Sequence, residues 1–370
     1  MNDDRPEKWM NLALDLAIRG RGMVEPNPMV GAVLVRENIV VGVGWHQRFG
    51  GLHAEIEALN QAGDKAFGST LFVSLEPCSH HGKTPPCANA ILNSGITKVF
   101  VAMRDPNPLV AGKGIGFLQS HGIEVEVGVG KEKAEFINAP FIKYHLHSKP
   151  FVIAKWAMSL DGKIATKTGE SKWISNDKCR EKVHQLRGLV DAILIGVGTV
   201  DLDDPMLNAR PEGPRKQVRI VIDPKARITL SSRIVQSAKD FPTIIAVREN
   251  VSQELKVRLQ NSGCELLELT SNNADEIVDE LLILLGKKGI QNLLVEGGGK
   301  TLGSFFDAYQ VDEIQVYIAP FIIGGSDAIS PVGGVGILEM AQRRKITSFG
   351  YEMIDDNILL SGRLKHYESM

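Results

Sequence analysis

Hydrophobic positions recur along this chain with two periods, and the two alternate. Over residues 6–22, Trp9, Leu12, Ala13, Leu16 and Ala17 fall three and four apart, the stripe of an amphipathic helix. MVGAVLV and NIVVGVGW then read as two strands of a hairpin, preceded by a PNP turn that holds Asn27 and followed by His46. The pattern predicts a helix over 53–63, a strand over 70–75, a helix over 84–95, a strand over 97–103, a helix near 113–121 and a strand over 123–127. KEKAEFINAPFIKYHLHSK predicts a last helix, broken or capped around Pro140.

A Lys-Pro pair at 149–150 and a new apolar run, FVIAKWAM, mark the expected boundary between domains at 1–149 and 150–370. The second half predicts strands at 151–157, DAILIG, VRIVID, TIIAVR, CELLEL, NLLVEG, EIQVYIA and ILLSGRL, with helices near 177–187, 252–261, 274–286 and from about 300. Strands alternating with helices imply α/β domains, and the last strands arrive without helices between them, so a mixed sheet is expected.

With 370 residues the chain suits two or three domains, and 43% hydrophobic against 23% charged residues is the mix of a globular protein. A net charge of −2 supplies no field to gather nucleic acid or a membrane surface. The opening MNDDRPEKW is acidic and polar, unlike a signal peptide, and no apolar run approaches the roughly 20 residues that span a bilayer. A cytoplasmic location is the expectation. Four cysteines are too few for a disulfide framework in a chain of this length, and Cys179 and Cys264 read as free thiols.

Chemistry concentrates between His53 and Cys87. HAE, then EPCSHHGKTPPC, gives a histidine, a glutamate two residues on, a Pro-Cys and a second cysteine, the zinc-deaminase pattern. His53, Cys78 and Cys87 would leave a fourth tetrahedral position open, as a catalytic zinc requires. Glu55, in the same helical turn as His53, would carry the proton. The two cysteines are separated by eight residues where the common pattern has two, so SHHGKTPP is either a different zinc loop or a specificity loop. Chance Cys and His residues, or a structural zinc site completed by His80 or His81, are the other readings, though a structural site gives Glu55 no purpose.

In the second half three glycine-bearing turns follow strands: SLDGKIAT, GVGTVD and EGGGKTLG. The last lies between a strand and a helix, but position 294 is leucine, so the nucleotide-hydrolase phosphate loop is incomplete, and GxGxxG fails as well. An anion or dinucleotide pyrophosphate site remains, beside the alternative of tight structural turns. GVGTVDLDDPMLNARP gathers Thr199, Asp203, Asp204, Asn208 and Arg210 in what reads as one loop, and SKWIS adds Ser171, Trp173 and Ser175.

The motifs PNPMVGAV, GWHQRFGGLHAE, EPCSHHGKTPPC, KWAMSLDGKIA, SKWIS, GVGTVDLDDPMLNAR and VEGGGKTLG together resemble a family. It is that of bifunctional riboflavin-biosynthesis enzymes joining a diaminohydroxyphosphoribosylaminopyrimidine deaminase to a 5-amino-6-(5-phosphoribosylamino)uracil reductase. The eight-residue cysteine spacing is that family's. The resemblance covers almost the whole chain and implies a cytidine-deaminase-like domain, with a mixed sheet between helices, followed by a dihydrofolate-reductase-like α/β domain. It implies Zn2+ and NADPH as cofactors, a small phosphoribosylaminopyrimidine substrate, and a homo-oligomer.

Carried over by position, Asn27, His46, His80 and Lys83 look like deaminase substrate contacts. Lys155, Ser171, Arg187, Asp203, Leu207, Arg210 and Glu296 look like reductase substrate contacts. Ala157, Trp173, Thr199, Asp203, Gly298, Gly299, Lys300, Thr301, Leu302, Gly303 and Ser304 look like the cofactor site. Lys155 and Asp203 are the candidates to assist protonation at the opening ribose. Two competing readings are a nucleoside or tRNA-base deaminase, which predicts a basic, aromatic-interleaved surface absent from 1–149, and a non-catalytic zinc module fused to a nucleotide sensor.

Overall fold

The computed structural model describes residues 5–79, 86–108, 110–271 and 273–364. The chain forms two compact units, Met1–Ser148 and Lys149–Met370.

In the first unit the elements run α1 (Pro6–Ala17), β1 (Gly31–Arg36), β2 (Ile39–Trp45), α2 (Ala54–Ala62), β3 (Thr70–Val73), α3 (Cys87–Asn93), β4 (Lys98–Val101), α4 (Lys113–Ser120), β5 (Glu124–Val127), α5 (Lys131–Ile137) and α6 (Ala139–His147). The described strands form one sheet in the order β2-β1-β3-β4-β5, antiparallel at β2-β1-β3 and parallel from β3 onward. Successive strand residues point to opposite faces. Leu71 and Val73 therefore pack with Ala54 and Ala58 of α2 and Ile91 of α3, while Phe72 stacks on Phe100 at 4.8 Å in the core shared with α1. The predicted stripe of α1 needs correction at Leu12, which is exposed, whereas Met10 and Leu14 are buried. The helix also ends earlier than expected, at Ala17, where a short 3-10 turn begins before Gly22 at φ +81°.

The second unit runs β6 (Phe151–Ser159), α7 (Asp177–Arg187), β7 (Ala192–Gly196), α8 (Val197–Asp203), β8 (Val218–Ile222), α9 (Arg233–Gln236), β9 (Thr243–Arg248), α10 (Gln253–Asn261), β10 (Glu265–Leu269), α11 (Ala274–Lys287), β11 (Asn292–Glu296), α12 (Gly299–Asp307), β12 (Glu313–Ala319), β13 (Ile346–Ile354) and β14 (Asn357–Leu364). Its sheet has the order β10-β9-β8-β7-β11-β6-β12-β14-β13, parallel through β12 and antiparallel in the last hairpin, the mixed sheet expected.

The segment read as one loop from 196 is corrected in its first half: Gly196 caps α8, which carries Thr199 and Asp203. β13 went unread because its alternating ITSFGYEMI lies at a sheet edge with Phe349, Tyr351 and Met353 exposed.

Topology fixes where this unit can hold a ligand. β11 returns between β6 and β7, so the strand order reverses there, and the register sets Glu296 beside Lys155. Open α/β sheets take ligands outside the carboxyl ends of strands at such a switch point. Among the described residues no helix is long and apolar enough to cross a membrane.

Candidate active sites

His53 is the N-cap of α2, Glu55 lies in that helix's first turn, Cys78 follows β3 and Cys87 opens α3. These elements converge because β3 lies inside the sheet and α2 and α3 cover the same face of it. The three ligand atoms lie within 4.8 Å of one another, with His53 Nδ1 3.2 Å from Cys87 Sγ and 3.5 Å from Cys78 Sγ. Tetrahedral zinc, with bonds of about 2.0 Å to nitrogen and 2.3 Å to sulfur, sets adjacent ligand atoms about 3.5 Å apart. The triangle therefore fits that ion, and a set of two sulfurs and one imidazole nitrogen is zinc chemistry.

The electrostatics prepare an anion. A hydrogen bond with Cys87 holds the Cys78 thiol down to about 4 against the opposing effect of burial, and bonds with His53 and the Cys87 backbone N–H assist. The same bond with Cys78, together with burial, pushes the Cys87 thiol up. Glu55 is 3% exposed; burial, and then the charge of Cys78, pushes its carboxyl up to about 7.

His46 is buried beside this cluster, its ring 5.5 Å from that of His53. Its Nδ1 lies 2.9 Å from the Leu52 carbonyl and its Nε2 3.1 Å from Asn27 Nδ2. A carbonyl only accepts and an amide nitrogen only donates, so the imidazole is neutral with its proton on Nδ1. Burial lowers its pKa in the same sense. Asn27 and His46 are thereby brought to the site, whereas His80 and Lys83 lie outside the described residues.

Glu76 was missed. Its buried carboxylate accepts from the backbone N–H groups of Asp105, Gly112, Gly114 and Ile115, tying the segment before Cys78 to the start of α4. A Cβ at Gly114 would fall 1.9 Å from the Pro77 carbonyl oxygen, so the contact also requires glycine. The signal available was a glutamate two residues before a ligand.

In the second unit a cavity of about 860 Å³ opens at the switch point. Lys155, Ala157, Ser171, Trp173, Arg187, Thr199, Asp203, Leu207, Arg210, Glu296 and Gly298 all line it, brought together from β6, β11, α7, α8 and the segments that join them. At its base the Glu296 carboxylate accepts from Arg187 Nε at 2.7 Å and Nη2 at 2.9 Å, and from Lys155 Nζ at 3.3 Å. Burial alone would raise this carboxyl, but the charges of Arg187 and then Lys155 hold it down to about 2. Asp203 accepts from Ser171 Oγ at 3.3 Å and pairs with Lys172 Nζ at 3.6 Å.

The glycine turn fits a bulky anionic cofactor. Gly297 has φ +128°, where a side chain is strained, and Thr199 Oγ1 accepts from the Gly298 N–H at 3.2 Å. A Cβ at Gly298 would meet only Thr199 Oγ1, at 3.8 Å, so the glycine leaves open space in which a ligand can approach the backbone. Six cationic side chains line the cavity: Lys155, Lys172, Arg180, Arg187, Arg210 and Arg233. They suit a ligand set rich in phosphate.

Gly299, Lys300, Thr301, Leu302, Gly303 and Ser304 are not among the lining residues. They form the first turns of α12, and a Cβ at Gly299 or Gly303 would lie 2.4 Å from the backbone of Ser330 or Gly333, so these two glycines have a packing reason. Sequence reasoning missed Lys172, Arg180, His184 and Arg233. Arg180 stacks 4.6 Å from the Trp173 ring, and His184, one turn before Arg187 on α7, reaches the Asn208 carbonyl at 3.1 Å.

Residues 150–358 match the family model of the RibD C-terminal domain, and residues 3–103 match that of the cytidine and deoxycytidylate deaminase zinc-binding region. The riboflavin biosynthesis protein RibD of Aquifex aeolicus is 43% identical over 351 residues, 94% of this chain and 97% of the relative. That of Escherichia coli K12 is 41% identical over 335 residues, covering 87% and 89%. Among solved structures, Acinetobacter baumannii RibD superposes with a TM-score of 0.84 at 35% identity, over 97% of this chain and 99% of that one. A Thermotoga maritima diaminohydroxyphosphoribosylaminopyrimidine deaminase/5-amino-6-(5-phosphoribosylamino)uracil reductase gives 0.82 at 36%, over 97% and 98%.

Proposed function

The chain belongs to the RibD family, the bifunctional deaminase/reductases of riboflavin biosynthesis, and we propose from that premise how its residues divide the two reactions. It is an enzyme with a zinc-binding deaminase domain and an NADPH-using reductase domain. We assign residues 1–149 to the deaminase and 150–370 to the reductase. The substrate of the first is 2,5-diamino-6-(5-phosphoribosylamino)pyrimidin-4(3H)-one, and that of the second is the resulting 5-amino-6-(5-phosphoribosylamino)uracil, whose ribosyl chain is reduced to ribityl.

The single observation that carries the first half is the His53, Cys78, Cys87 triangle with a buried Glu55 beside it. Zinc, when bound there, supplies the Lewis acid that makes water nucleophilic at neutral pH. Glu55 takes the water's proton and delivers it to the departing amine, and Asn27 and the neutral His46 hold the pyrimidine in place. The insertion carrying His80 and Lys83 is assigned to the same substrate on the resemblance alone.

NADPH, when bound in the second unit, supplies the hydride, and the protein supplies position and charge. Lys155, the base-of-cavity cation, and Asp203, beside Ser171, are assigned to the proton movements at the opening ribose. Ser171, Arg187, Leu207, Arg210 and Glu296 shape the substrate's place. Ala157, Trp173, Thr199 and Gly298 shape the cofactor's; Gly299 to Ser304 serve it through the start of α12.

A two-step assay tests the division. Cys87→Ser should lose zinc and release no ammonia, yet oxidise NADPH when given the deaminated substrate; full zinc occupancy in that variant would move the ligand set elsewhere.

A homo-oligomer is supported by β13, an edge strand with Phe349, Tyr351 and Met353 exposed at 58%, 74% and 57%, a row that another copy would cover. Sedimentation velocity should find an oligomer that Tyr351→Lys weakens, and a monomeric wild type would refute it. We place the enzyme in the cytoplasm, supported by four cysteines that form no disulfide.

A further inference from the structure

Arg219, on β8, is 0% exposed and makes no ion pair among the described residues. Its guanidinium is held instead by neutral acceptors. Nη1 donates to the Met206 carbonyl at 3.1 Å and Ser237 Oγ at 2.8 Å; Nη2 donates to the Ile234 and Phe241 carbonyls at 3.0 and 3.1 Å and to Thr243 Oγ1 at 2.5 Å. The Phe241 ring lies 5.2 Å from its Cζ. Burial lowers the guanidinium to about 10, which still leaves it charged at neutral pH. A buried charge without a counter-ion is costly, and a valine-like side chain would serve β8 at less cost. The first of its contacts shows what the charge can do.

The segment from Asp204 to Leu207 lines the cavity, and the backbone is held at Asp204, Met206 and Asn208. Asp204 Oδ1 accepts from the Arg233 N–H at 2.8 Å, the Met206 carbonyl accepts from Arg219, and the Asn208 carbonyl accepts from Arg187 Nη1 at 3.3 Å and faces His184. Between the last two holds sits Leu207, 3% exposed, with φ +52°. A left-handed leucine is strained and persists only where its surroundings over-determine it. Met206 also receives Ser237 Oγ at its sulfur, at 3.9 Å, and Ser237 is the other partner of Nη1. We propose that Arg219 is a positioning residue for substrate binding in the reductase: its buried guanidinium turns the Met206 carbonyl inward and so sets the backbone that presents Leu207 and Arg210 to the phosphoribosyl substrate. This rests on reading the cavity segment as the substrate's side of the reductase site. Arginine is required because lysine has three donors on one nitrogen and cannot reach acceptors spread along a planar fork.

The test is steady-state reduction of 5-amino-6-(5-phosphoribosylamino)uracil by full-length Arg219→Lys, Arg219→Met and Ser237→Ala, with NADPH binding by fluorescence titration and deamination measured on the same preparations. In Arg219→Met the KM for the substrate should rise roughly 10- to 100-fold, the scale of a displaced binding group. Arg219→Lys should recover part of it. NADPH affinity and deamination should change little. If Arg219→Met fails to fold, Ser237→Ala decides, because it frees one guanidinium donor without removing the charge; a KM raised about threefold with NADPH affinity intact supports the proposal on the same reasoning.

Folded variants with the wild-type KM overturn it, and so does a KM that rises only in step with a weakened NADPH affinity, which would make Arg219 a general support of the fold. Failure of the wild type to reduce this substrate would instead sink the reading of the segment, and the proposal with it.

Discussion

Glu55→Gln should lower deamination by at least 10²–10⁴-fold, the usual contribution of a general acid–base group, while zinc stays bound. The side chain keeps its shape in the substitution and loses only the capacity to take a proton and return it. Glu55 is not one of the three ligand atoms clustered within 4.8 Å, so metal retention follows from the geometry. Reduction of supplied deaminated substrate should be unchanged. Ammonia release measured beside zinc content by mass spectrometry reads both halves. Near-normal turnover would assign the proton to another residue, and loss of zinc would make Glu55 a support of the metal rather than the carrier of the proton.

That prediction was open to the sequence because the chemistry constrains residue types tightly. A ligand at the N-cap of a helix and a glutamate two residues later must point at one place, and so must a cysteine after a strand. Asn27 and His46 came from the resemblance: the PNP turn and the hairpin exit locate them in the chain, but nothing in their spacing aims them at the metal.

What stayed hidden depends on partners far along the chain. The carboxylate of Glu76 is satisfied by amides from Asp105 to Ile115, and nothing in EPC announces them. Arg219 sits in VRIVID, where alternation reads only as a strand; its acceptors at Met206, Ile234 and Thr243 come from separate elements. α8 was read as loop because its glycine and two aspartates are poor helix formers, and tertiary position prevailed over propensity. The EGGGKTLG turn was read as an anion or pyrophosphate site with tight structural turns as the alternative, and packing against residues 330–333 accounts for two of its glycines.

The largest effect in the reductase should follow from Glu296→Gln. The carboxylate lies at 6% exposure with both oxygens occupied by Arg187 and one shared with Lys155. Glutamine presents an amide N–H₂ to a guanidinium and leaves two buried cations without a counter-charge. Removing one partner of a buried pair costs about 3–5 kcal/mol. With Lys155 and Arg187 no longer fixed at the cavity base, reduction should fall by roughly 10²-fold, while deamination is untouched.

The pH dependence gives this an internal check. The folded carboxyl titrates at about 2, below the ordinary value of 4.5. A lowered carboxyl pKa adds stability that is complete above about 4.5 and disappears as pH falls toward about 2; at about 1.4 kcal/mol per unit this is about 3 kcal/mol. Hydrogen exchange at the β6 and β11 amides of the full-length protein should therefore show the wild type more protected than the variant by about that amount above pH 5, with the gap closing between about 4.5 and 2. A gap that stays constant through that window would mean that Glu296 acts by shape and not by charge, and Lys155 and Arg187 would then need another anion to hold them.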